Sequence, residues 1–232
     1  MPFLQRQACG INMNNNLAIL KKYDTLCATP SDINELLPFL RFYAEKCKHI
    51  TEMGIRTPTS TYAFLAGEPK TLISYDINRV TEVGEVESLA RGVFKFVQQD
   101  VLNVEIEETD FLFIDTYHTA TQLENELKMH SNKVRKYIGL HDTSTFWEHG
   151  EELSKGMDPK QACGRGLKFA LKPFLKKGQW KIAFATDKNN GLIILERKRK
   201  NWFVSSQLGS HLKYTFYLNS RKLRYWILRL TR

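Results

Sequence analysis

Over the middle of the chain, apolar and polar positions alternate between two kinds of segment. Short runs rich in β-branched and aromatic residues favour strands, and the polar stretches between them are long enough for helices. The predicted strands are HITEMG (49–54), TLISYDI (71–77), VFKFVQQD (93–100), FLFIDTYH (111–118) and KYIGLHD (136–142). Because parallel strands need such crossovers, the pattern predicts an α/β domain with a doubly wound, mostly parallel sheet.

Local signals predict the helices and the end of this domain. The run TPSD (29–32) offers a capping hydroxyl, a first-turn proline and an acid, so a helix is expected over 30–47. Residues 119–134 place Leu123 and Leu127 on one face and are expected to form a crossover helix. Two further strands, 180–187 and 191–197, are joined by KNNG, which favours a tight hairpin. The domain is therefore expected to end with an antiparallel pair.

The remaining segments divide the chain into three parts. Residues 1–29 show no sustained period and are expected to form an N-terminal arm, followed by the main domain over 30–197 and a C-terminal extension over 198–232. Within the domain, residues 143–165 form a polar, glycine-containing stretch after the fifth strand. Open α/β sheets bind ligands at that edge, so this stretch is expected to act as a lid.

Charge separates the extension from the domain. The formal net charge is +9, but the segment from Arg197 to Arg232 holds 10 basic residues and no acidic one, which leaves 24 basic against 25 acidic residues before it. A uniformly basic nucleic-acid-binding domain is therefore excluded. The four cysteines are scattered without metal or redox spacing, and no long apolar run occurs. A cytoplasmic protein with reduced thiols is expected.

The extension mixes aromatic residues with lysine and arginine, most densely in RKLRYWILRLTR. Three interpretations remain open. It docks on the domain or on a second subunit, which would make a homo-oligomer; it contacts a membrane surface peripherally; or it contacts nucleic acid, the least favoured of the three. Docking is placed first because so many large apolar side chains are rarely left exposed.

Two nucleotide-binding motifs are absent. The turn after the first strand reads EMGIRTPTST, with one glycine, so it lacks the GxGxxG fingerprint of dinucleotide-binding dehydrogenases. No GxxxxGK[ST] phosphate-binding loop occurs either. A weaker ligand-binding pattern is present, because Gly54 follows the first strand and Asp76 ends the second about 20 residues later. Asp100 ends the third strand, where its carboxylate could accept from an adenine amino group.

Four titratable side chains follow the next two strands. Asp115 and His118 come after one of them, and His141 and Asp142 after the other. Adjacent parallel strands would present all four at one edge, where carboxylates suit Mg²⁺ and imidazoles suit Mn²⁺, Fe²⁺ or Zn²⁺. A histidine near its ordinary pKa could instead deprotonate a hydroxyl nucleophile. Under the alternative interpretation, the aspartates cap loops and the histidines pack or bond to backbone.

The run FLFIDTYHTATQLENEL followed by YIGLHD resembles the D-x-x-H…H-D signature of class I S-adenosylmethionine-dependent methyltransferases, in particular those related to cephalosporin hydroxylase and the macrolide-sugar O-methyltransferases. The resemblance spans about residues 30 to 196. It implies a seven-stranded Rossmann-like sheet with helices on both faces and an antiparallel final strand. It also implies S-adenosyl-L-methionine as cofactor and a hydroxyl of a sugar, glycan or glycosylated metabolite as methyl acceptor.

The resemblance further implies roles for individual residues. Cofactor-binding positions are expected at Glu52, Gly54, Arg56, Ser60, Asp76, Asp100 and Asp115. Ligands for Mg²⁺ or another divalent metal are expected at Asp115, His141 and Asp142. His118 and His141 are the expected catalytic residues, with His118 near the transferred methyl group as base or metal neighbour.

This chain departs from the family pattern at two places. Pro58 stands where a second glycine usually follows the first strand, and NKVRK replaces the common GG turn before the fifth strand. Two alternatives to an O-methyltransferase therefore stay open. The domain could be a non-catalytic methyltransferase-like module that binds a partner or glycan, or it could be an oxygenase that uses the Asp and His residues for iron.

Overall fold

The computed structural model describes residues 11–152 and 164–198. The helices there are α1 (Met13–Ala28), α2 (Leu37–Ala44), α3 (Thr59–Leu65), α4 (Val83–Leu89), α5 (Ala120–His130) and α6 (Lys168–Lys176). The strands are β1 (His49–Met53), β2 (Thr71–Asp76), β3 (Phe94–Gln98), β4 (Thr109–Ile114), β5 (Val134–His141), β6 (Trp180–Thr186) and β7 (Leu192–Arg197). Short 3₁₀ turns occupy Asn34–Leu36, Val101–Asn103 and Ser131–Lys133.

The strands form one seven-stranded sheet in the order β3-β2-β1-β4-β5-β7-β6. Strands β1 to β5 run parallel, β7 is antiparallel to β5, and β6 is antiparallel to β7. The predicted fold class is confirmed, and so is the antiparallel final pair. The strand order reverses between β1 and β4, which is the point where open α/β sheets bind ligands beyond their carboxyl ends.

Strand register aligns the ends of three neighbouring strands. Met53 of β1 pairs with Ile114 of β4, and Ile114 pairs with Leu140 of β5. The next residues along these strands are Gly54 and Asp115, which follow β1 and β4, and His141, which is the last residue of β5. The hydrogen-bonded register therefore fixes the relative positions of these residues before any loop folds.

Both faces of the sheet are buried, as a parallel sheet requires. Phe111 and Phe113 of β4 pack on the face covered by α1 to α4, where the Phe64 ring lies 5.6 Å and 5.3 Å from them. Leu112 and Ile114 point to the opposite face, against α5 and α6. Each such side chain stabilises the fold by about 1.5–3 kcal/mol, so β4 is held firmly from both sides.

The expectation of an N-terminal arm or loop is wrong for residues 13–28, which form α1. The asparagine-rich run supplies the start of this helix, because the Asn12 side chain accepts the backbone N–H of Asn15 at 2.9 Å. Only Ile19 and Tyr23 are buried, one turn apart. Such a narrow apolar stripe gave too weak a periodicity to predict a helix.

The single helix predicted over 30–47 is also wrong in its first half. The Ser31 hydroxyl, rather than that of Thr29, accepts the N–H of Asn34 at 3.0 Å and begins the 3₁₀ turn. Helix α2 starts only at Leu37, with Pro38 in its first turn. A proline is tolerated there because the first N–H groups of a helix need no intrahelical partner.

The turn between β6 and β7 has the backbone conformation that its sequence favours. The β6–β7 turn has positive φ at Asn189, Asn190 and Gly191, as asparagine and glycine allow.

Only the flanks of the predicted lid are described, and an isolated bridge between His149 and Arg165 joins them. The extension over 198–232 lies outside the described residues after Lys198. Over the described ranges, no helix is long and apolar enough to cross a membrane.

Candidate functional site

The turn after β1 requires glycine at position 54. Gly54 has φ +83°, and its N–H donates to the carbonyl of Tyr75 at 2.9 Å. A Cβ atom at this position would lie 2.0 Å from the carbonyl oxygen of Asp115. A side chain at this position would therefore clash with the backbone of the turn after β4, so only glycine allows the two turns to lie this close together.

Asp76 holds this turn from the end of β2. Its Oδ2 accepts the N–H groups of Ile55 at 2.9 Å and Arg56 at 3.1 Å, and its Oδ1 accepts that of Asn78 at 2.8 Å. The acid therefore lies beside the glycine turn, as the strand spacing predicts. In this structure both of its oxygens are bonded to backbone, and its predicted contact with a ribose stays a prediction.

Glu52 and Ser60 are buried beneath the turn after β1. The Glu52 carboxylate is fully buried and accepts the hydroxyls of Ser60 at 2.6 Å, Thr61 at 2.8 Å and Ser74 at 2.5 Å. Burial raises the pKa of Glu52 to about 7, although these hydrogen bonds oppose the shift. The carboxylate thus ties β1, α3 and β2 together, and it shapes the turn from below.

Pro58 fits this arrangement. It is the residue that immediately precedes α3, with φ −74°, and its carbonyl accepts the N–H of Tyr62 at 3.3 Å. Its missing N–H removes no helical hydrogen bond there. The turn reaches a left-handed conformation at Arg56 instead, with φ +41°. The Arg56 guanidinium extends to Asp32 at 2.5 Å and links the turn to the segment before α2.

Asp100 lies past the end of β3 and caps the 3₁₀ turn that follows. Its Oδ1 accepts the N–H of Leu102 at 2.9 Å, and its Oδ2 accepts the Asn103 side chain at 3.1 Å. This is the ordinary capping role of an aspartate. Its position at the sheet edge agrees with the strand spacing, and its predicted place near an adenine remains untested.

The four residues predicted after β4 and β5 come together. His118 Nε2 lies 3.0 Å from Asp142 Oδ2 and 3.3 Å from Asp115 Oδ1. His141 Nδ1 lies 3.1 Å from the same Asp115 oxygen and 3.7 Å from Asp142 Oδ2. Its Nε2 lies 3.1 Å from the backbone carbonyl oxygen of Asn189 and must carry the proton that donates this hydrogen bond. Adjacent parallel strand ends therefore do build one cluster, as the sequence predicts.

The charges of this cluster are strongly coupled. Burial alone would lower the pKa of His118, but hydrogen bonds to Asp115 and Glu151 raise it to about 10. The pKa of His141 is also raised, because the nearby Asp115 outweighs the effect of burial. Burial would raise the pKa of Asp115, yet the two histidines hold it well below its usual range. The carboxylates around His118 therefore favour the charged form of its ring.

Two residues that the sequence did not single out complete the surroundings of His118. Its ring stacks on Phe146, with centroids 4.9 Å apart and planes 7° from parallel. Its Nδ1 lies 3.0 Å from Glu151 Oε2. Both partners belong to the stretch predicted as a lid, and no local pattern distinguishes them. His149, in the same stretch, forms an isolated backbone bridge with Arg165.

A small cavity with a buried carboxyl lies behind the cluster. It is lined in part by Tyr117, His118, His141 and Glu126. Glu126 Oε1 accepts the hydroxyl of Thr116 and the side-chain amide of Gln122, while Oε2 is buried with no hydrogen-bond partner among the described residues. Burial raises the pKa of Glu126 to about 7.

The cluster fits a divalent cation. Asp115, His118 and Asp142 each offer one ligand atom, and these atoms all lie within 4.8 Å of one another. Asp142 Oδ1 is buried and has no hydrogen-bond partner in the described part of the chain, a state that costs free energy unless a water or cation binds it. Two carboxylates with an imidazole suit Mn²⁺ or Zn²⁺ as well as Mg²⁺. This group contains His118 in place of His141, which the resemblance predicted as a ligand.

Comparisons with known proteins identify the fold. No protein-family model and no curated protein sequence matches the chain. Solved structures do match: a Podospora anserina methyltransferase, PaMTH1, with SAH bound is 15% identical with a TM-score of 0.56, over 86% of this chain and 98% of that one. A Bacillus cereus O-methyltransferase in complex with SAH is 15% identical with a TM-score of 0.51, over 81% and 92%. The chain has the class I methyltransferase fold.

Methyltransferases of this fold differ in the atom that they methylate. A Burkholderia thailandensis 1,6-didemethyltoxoflavin-N1-methyltransferase, with its substrate and S-adenosylhomocysteine bound, also matches, at 10% identity and a TM-score of 0.52 over 85% of this chain and 99% of that one. At such identities the likeness establishes the methyltransferase fold and leaves the acceptor open.

Proposed function

We propose that the chain is an S-adenosylmethionine-dependent O-methyltransferase that uses a divalent cation and acts on a hydroxyl of a sugar, glycan or glycosylated metabolite. One observation carries this proposal. The glycine turn held by Asp76 lies next to the cluster of Asp115, His118 and Asp142, at the carboxyl edge of a sheet with the methyltransferase strand order.

The cofactor would lie along the edge from β4 to β3. Because Gly54 has no side chain, it would let the methionine part approach the backbone of the turn closely. Asp76 would exchange part of its backbone hydrogen bonds for ribose hydroxyls, and Asp100 would face the adenine. Glu52 and Ser60 would act from beneath by fixing the turn, because their polar atoms already bond to each other.

The acceptor hydroxyl would lie at the cluster. A divalent cation held by Asp115, Asp142 and His118 would lower the pKa of that hydroxyl and orient it. Asp142 Oδ1, buried and without a described partner, is the proposed proton acceptor. The acceptor oxygen would then take the methyl group from the sulfonium of S-adenosylmethionine, and the electron pair of the broken carbon–sulfur bond would stay on sulfur.

Two considerations support a polyhydroxylated acceptor. Two neighbouring hydroxyl oxygens of such an acceptor can bind the same cation, so a cation site suits this class of acceptor. The resemblance of the segments after β4 and β5 to macrolide-sugar O-methyltransferases points to the same class. The histidines, predicted as catalytic, would serve this acceptor indirectly, since His118 would bind the cation and His141 is almost fully buried.

A methyl-transfer assay with a matched pair of variants tests the proposal. The protein is incubated with methyl-labelled S-adenosylmethionine, Mg²⁺ and a panel of sugars and glycosides, and labelled product is counted. Asp142→Asn keeps the shape and tolerates the observed φ of +54°, and it is expected to lose at least about 100-fold in rate. Asp187→Asn removes an exposed acid outside the cluster and should leave the rate unchanged. Equal rates for the two variants would contradict the proposal.

One observation favours a second candidate, a non-catalytic methyltransferase-like module. Both oxygens of Asp76 already bond to backbone N–H groups, so the turn of this chain is complete without a ribose. Such a module would bind a partner or glycan at the same edge without cofactor. Methyl transfer to any acceptor, lost in Asp142→Asn, would exclude it.

A further inference from the structure

Glu151 contacts His118 through three hydrogen bonds. Its backbone N–H donates to the His118 carbonyl at 3.0 Å, and its Oε2 accepts the backbone N–H of His118 at 3.2 Å. The same Oε2 lies 3.0 Å from Nδ1 of the His118 ring. Because the backbone and the side chain of Glu151 both bond to His118, the carboxylate is held beside this one histidine.

This arrangement determines which ring nitrogen faces the cluster. Phe146 fixes the plane of the ring by stacking, and Glu151 fixes its rotation within that plane by holding Nδ1. Nε2 is thereby directed between Asp142 Oδ2 at 3.0 Å and Asp115 Oδ1 at 3.3 Å. A carboxylate oxygen can only accept, so a proton must stay on Nδ1.

The position of that proton decides whether His118 can bind a cation. A histidine binds a metal through the nitrogen that lacks a proton, and the hydrogen bond of the other nitrogen sets which one that is. With Nδ1–H held by a carboxylate, Nε2 presents its lone pair to the cluster whenever a cation replaces its proton. Without that acceptor, the ring could place its proton on Nε2 and turn away.

We propose that Glu151 is a positioning residue that keeps a proton on Nδ1 of His118 and so makes Nε2 the third ligand atom of the cation site. The proposal deepens the proposed function and rests on its cation site, whereas it is independent of S-adenosylmethionine binding. Glu151 acts through His118 and touches neither the cation nor the substrates.

Zn²⁺ is the probe, because imidazole nitrogen suits it and because it leaves nuclear magnetic resonance spectra readable. Affinity is measured for the full chain by competition with a chelating dye. Glu151→Ala is expected to weaken Zn²⁺ binding about 10- to 100-fold, the usual effect of losing such an outer partner. Glu152→Ala, which removes the exposed carboxylate next in the chain, should bind Zn²⁺ like the wild type.

Glu151→Gln separates positioning from charge. One oxygen of Glu151 accepts both the backbone N–H and the ring N–H of His118, so a glutamine must place its carbonyl oxygen there. We expect this variant to retain Zn²⁺ affinity within about threefold of the wild type. The neutral amide oxygen forms a weaker hydrogen bond than a carboxylate, but it still accepts the Nδ1–H of His118 from the same direction. A purely structural loss of the loop would not be rescued in this selective way.

A spectroscopic measurement on the wild type needs no variant to fold. In the Zn²⁺-bound, ¹⁵N-labelled protein, the ring proton of His118 is expected on Nδ1, with Nε2 bound to the metal. A proton on Nε2, the absence of Zn²⁺ binding to the wild type, or Glu151→Ala affinity equal to wild type would each overturn the inference. S-adenosylmethionine binding measured on the same samples shows separately whether the proposed function fails.

Discussion

Replacing Gly54 by alanine tests how closely the turns after β1 and β4 approach each other. A Cβ at Gly54 would lie 2.0 Å from the carbonyl oxygen and 2.7 Å from the carbonyl carbon of Asp115. Both atoms are backbone, and the Asp115 N–H is bonded to the Met53 carbonyl at 2.8 Å, so they cannot move independently of the sheet. The new methyl group must therefore push the two strand ends apart.

The structure offers a matched control for this substitution. Gly92 has φ +82°, almost the same as the +83° of Gly54, but nothing lies within 4 Å of its added Cβ. Gly92→Ala should therefore lose only about 1–2 kcal/mol of stability, the cost of placing a residue with a Cβ in a left-handed conformation. Gly54→Ala should add a steric cost of about 1–3 kcal/mol to that strain, as overpacking does in a close-packed interior.

Urea unfolding at 25 °C measures both losses as changes in the free energy of unfolding. We expect Gly54→Ala to be destabilised by about 2–5 kcal/mol, clearly more than Gly92→Ala. Its divalent-cation affinity should also fall, because Asp115 moves with its carbonyl. If the two variants were equally stable, the close approach of the β1 and β4 turns would be refuted.

Three further substitutions test the surroundings of the site. The folded pKa of Glu126, about 7, lies above its ordinary 4.5, so its contribution to stability is complete below pH 4.5 and lost as pH rises through 7. Thermal unfolding from pH 4 to 8 should therefore show wild type losing up to about 3 kcal/mol relative to Glu126→Gln, and parallel curves would contradict this. Asp76→Ala leaves two N–H groups of the turn without an acceptor and should cost about 1–3 kcal/mol in urea unfolding, whereas no loss would show that the carboxylate does not hold the turn. Arg56→Ala breaks an ion pair whose arginine side chain is 75% exposed and should change stability by less than about 1 kcal/mol in the same assay; a larger loss would mean that the link to Asp32 is structural.

Strand ends were the most predictable part of this protein. Strands β2, β4 and β5 end in mostly apolar runs that stop at Asp76, Asp115 and His141, so these residues could be placed at one edge from the sequence alone. The register of β2, β1, β4 and β5 then confirms that these strand ends are neighbours. The fold could be predicted for the same reason, since apolar runs alternate with helix-length segments.

Loop geometry was not predictable in the same way. Glu151 lies 33 residues from His118 in sequence and meets it only because the chain after β5 folds back over the edge. The raised pKa of His118 depends on distances of about 3 Å to several carboxylates, which no spacing rule supplies. The burial of Glu52 beneath its turn likewise depends on three hydroxyls from two other elements.

Calorimetric titration with S-adenosylmethionine, with and without Mg²⁺, tests the central claim most directly. We expect saturable binding of one cofactor per chain, weakened in Asp76→Ala, which removes the acid at the end of β2. Asp115→Ala and Asp142→Ala should abolish any effect of Mg²⁺ on the titration. Absence of S-adenosylmethionine binding in both conditions would contradict the proposed methyltransferase and leave the non-catalytic module as the function of this fold.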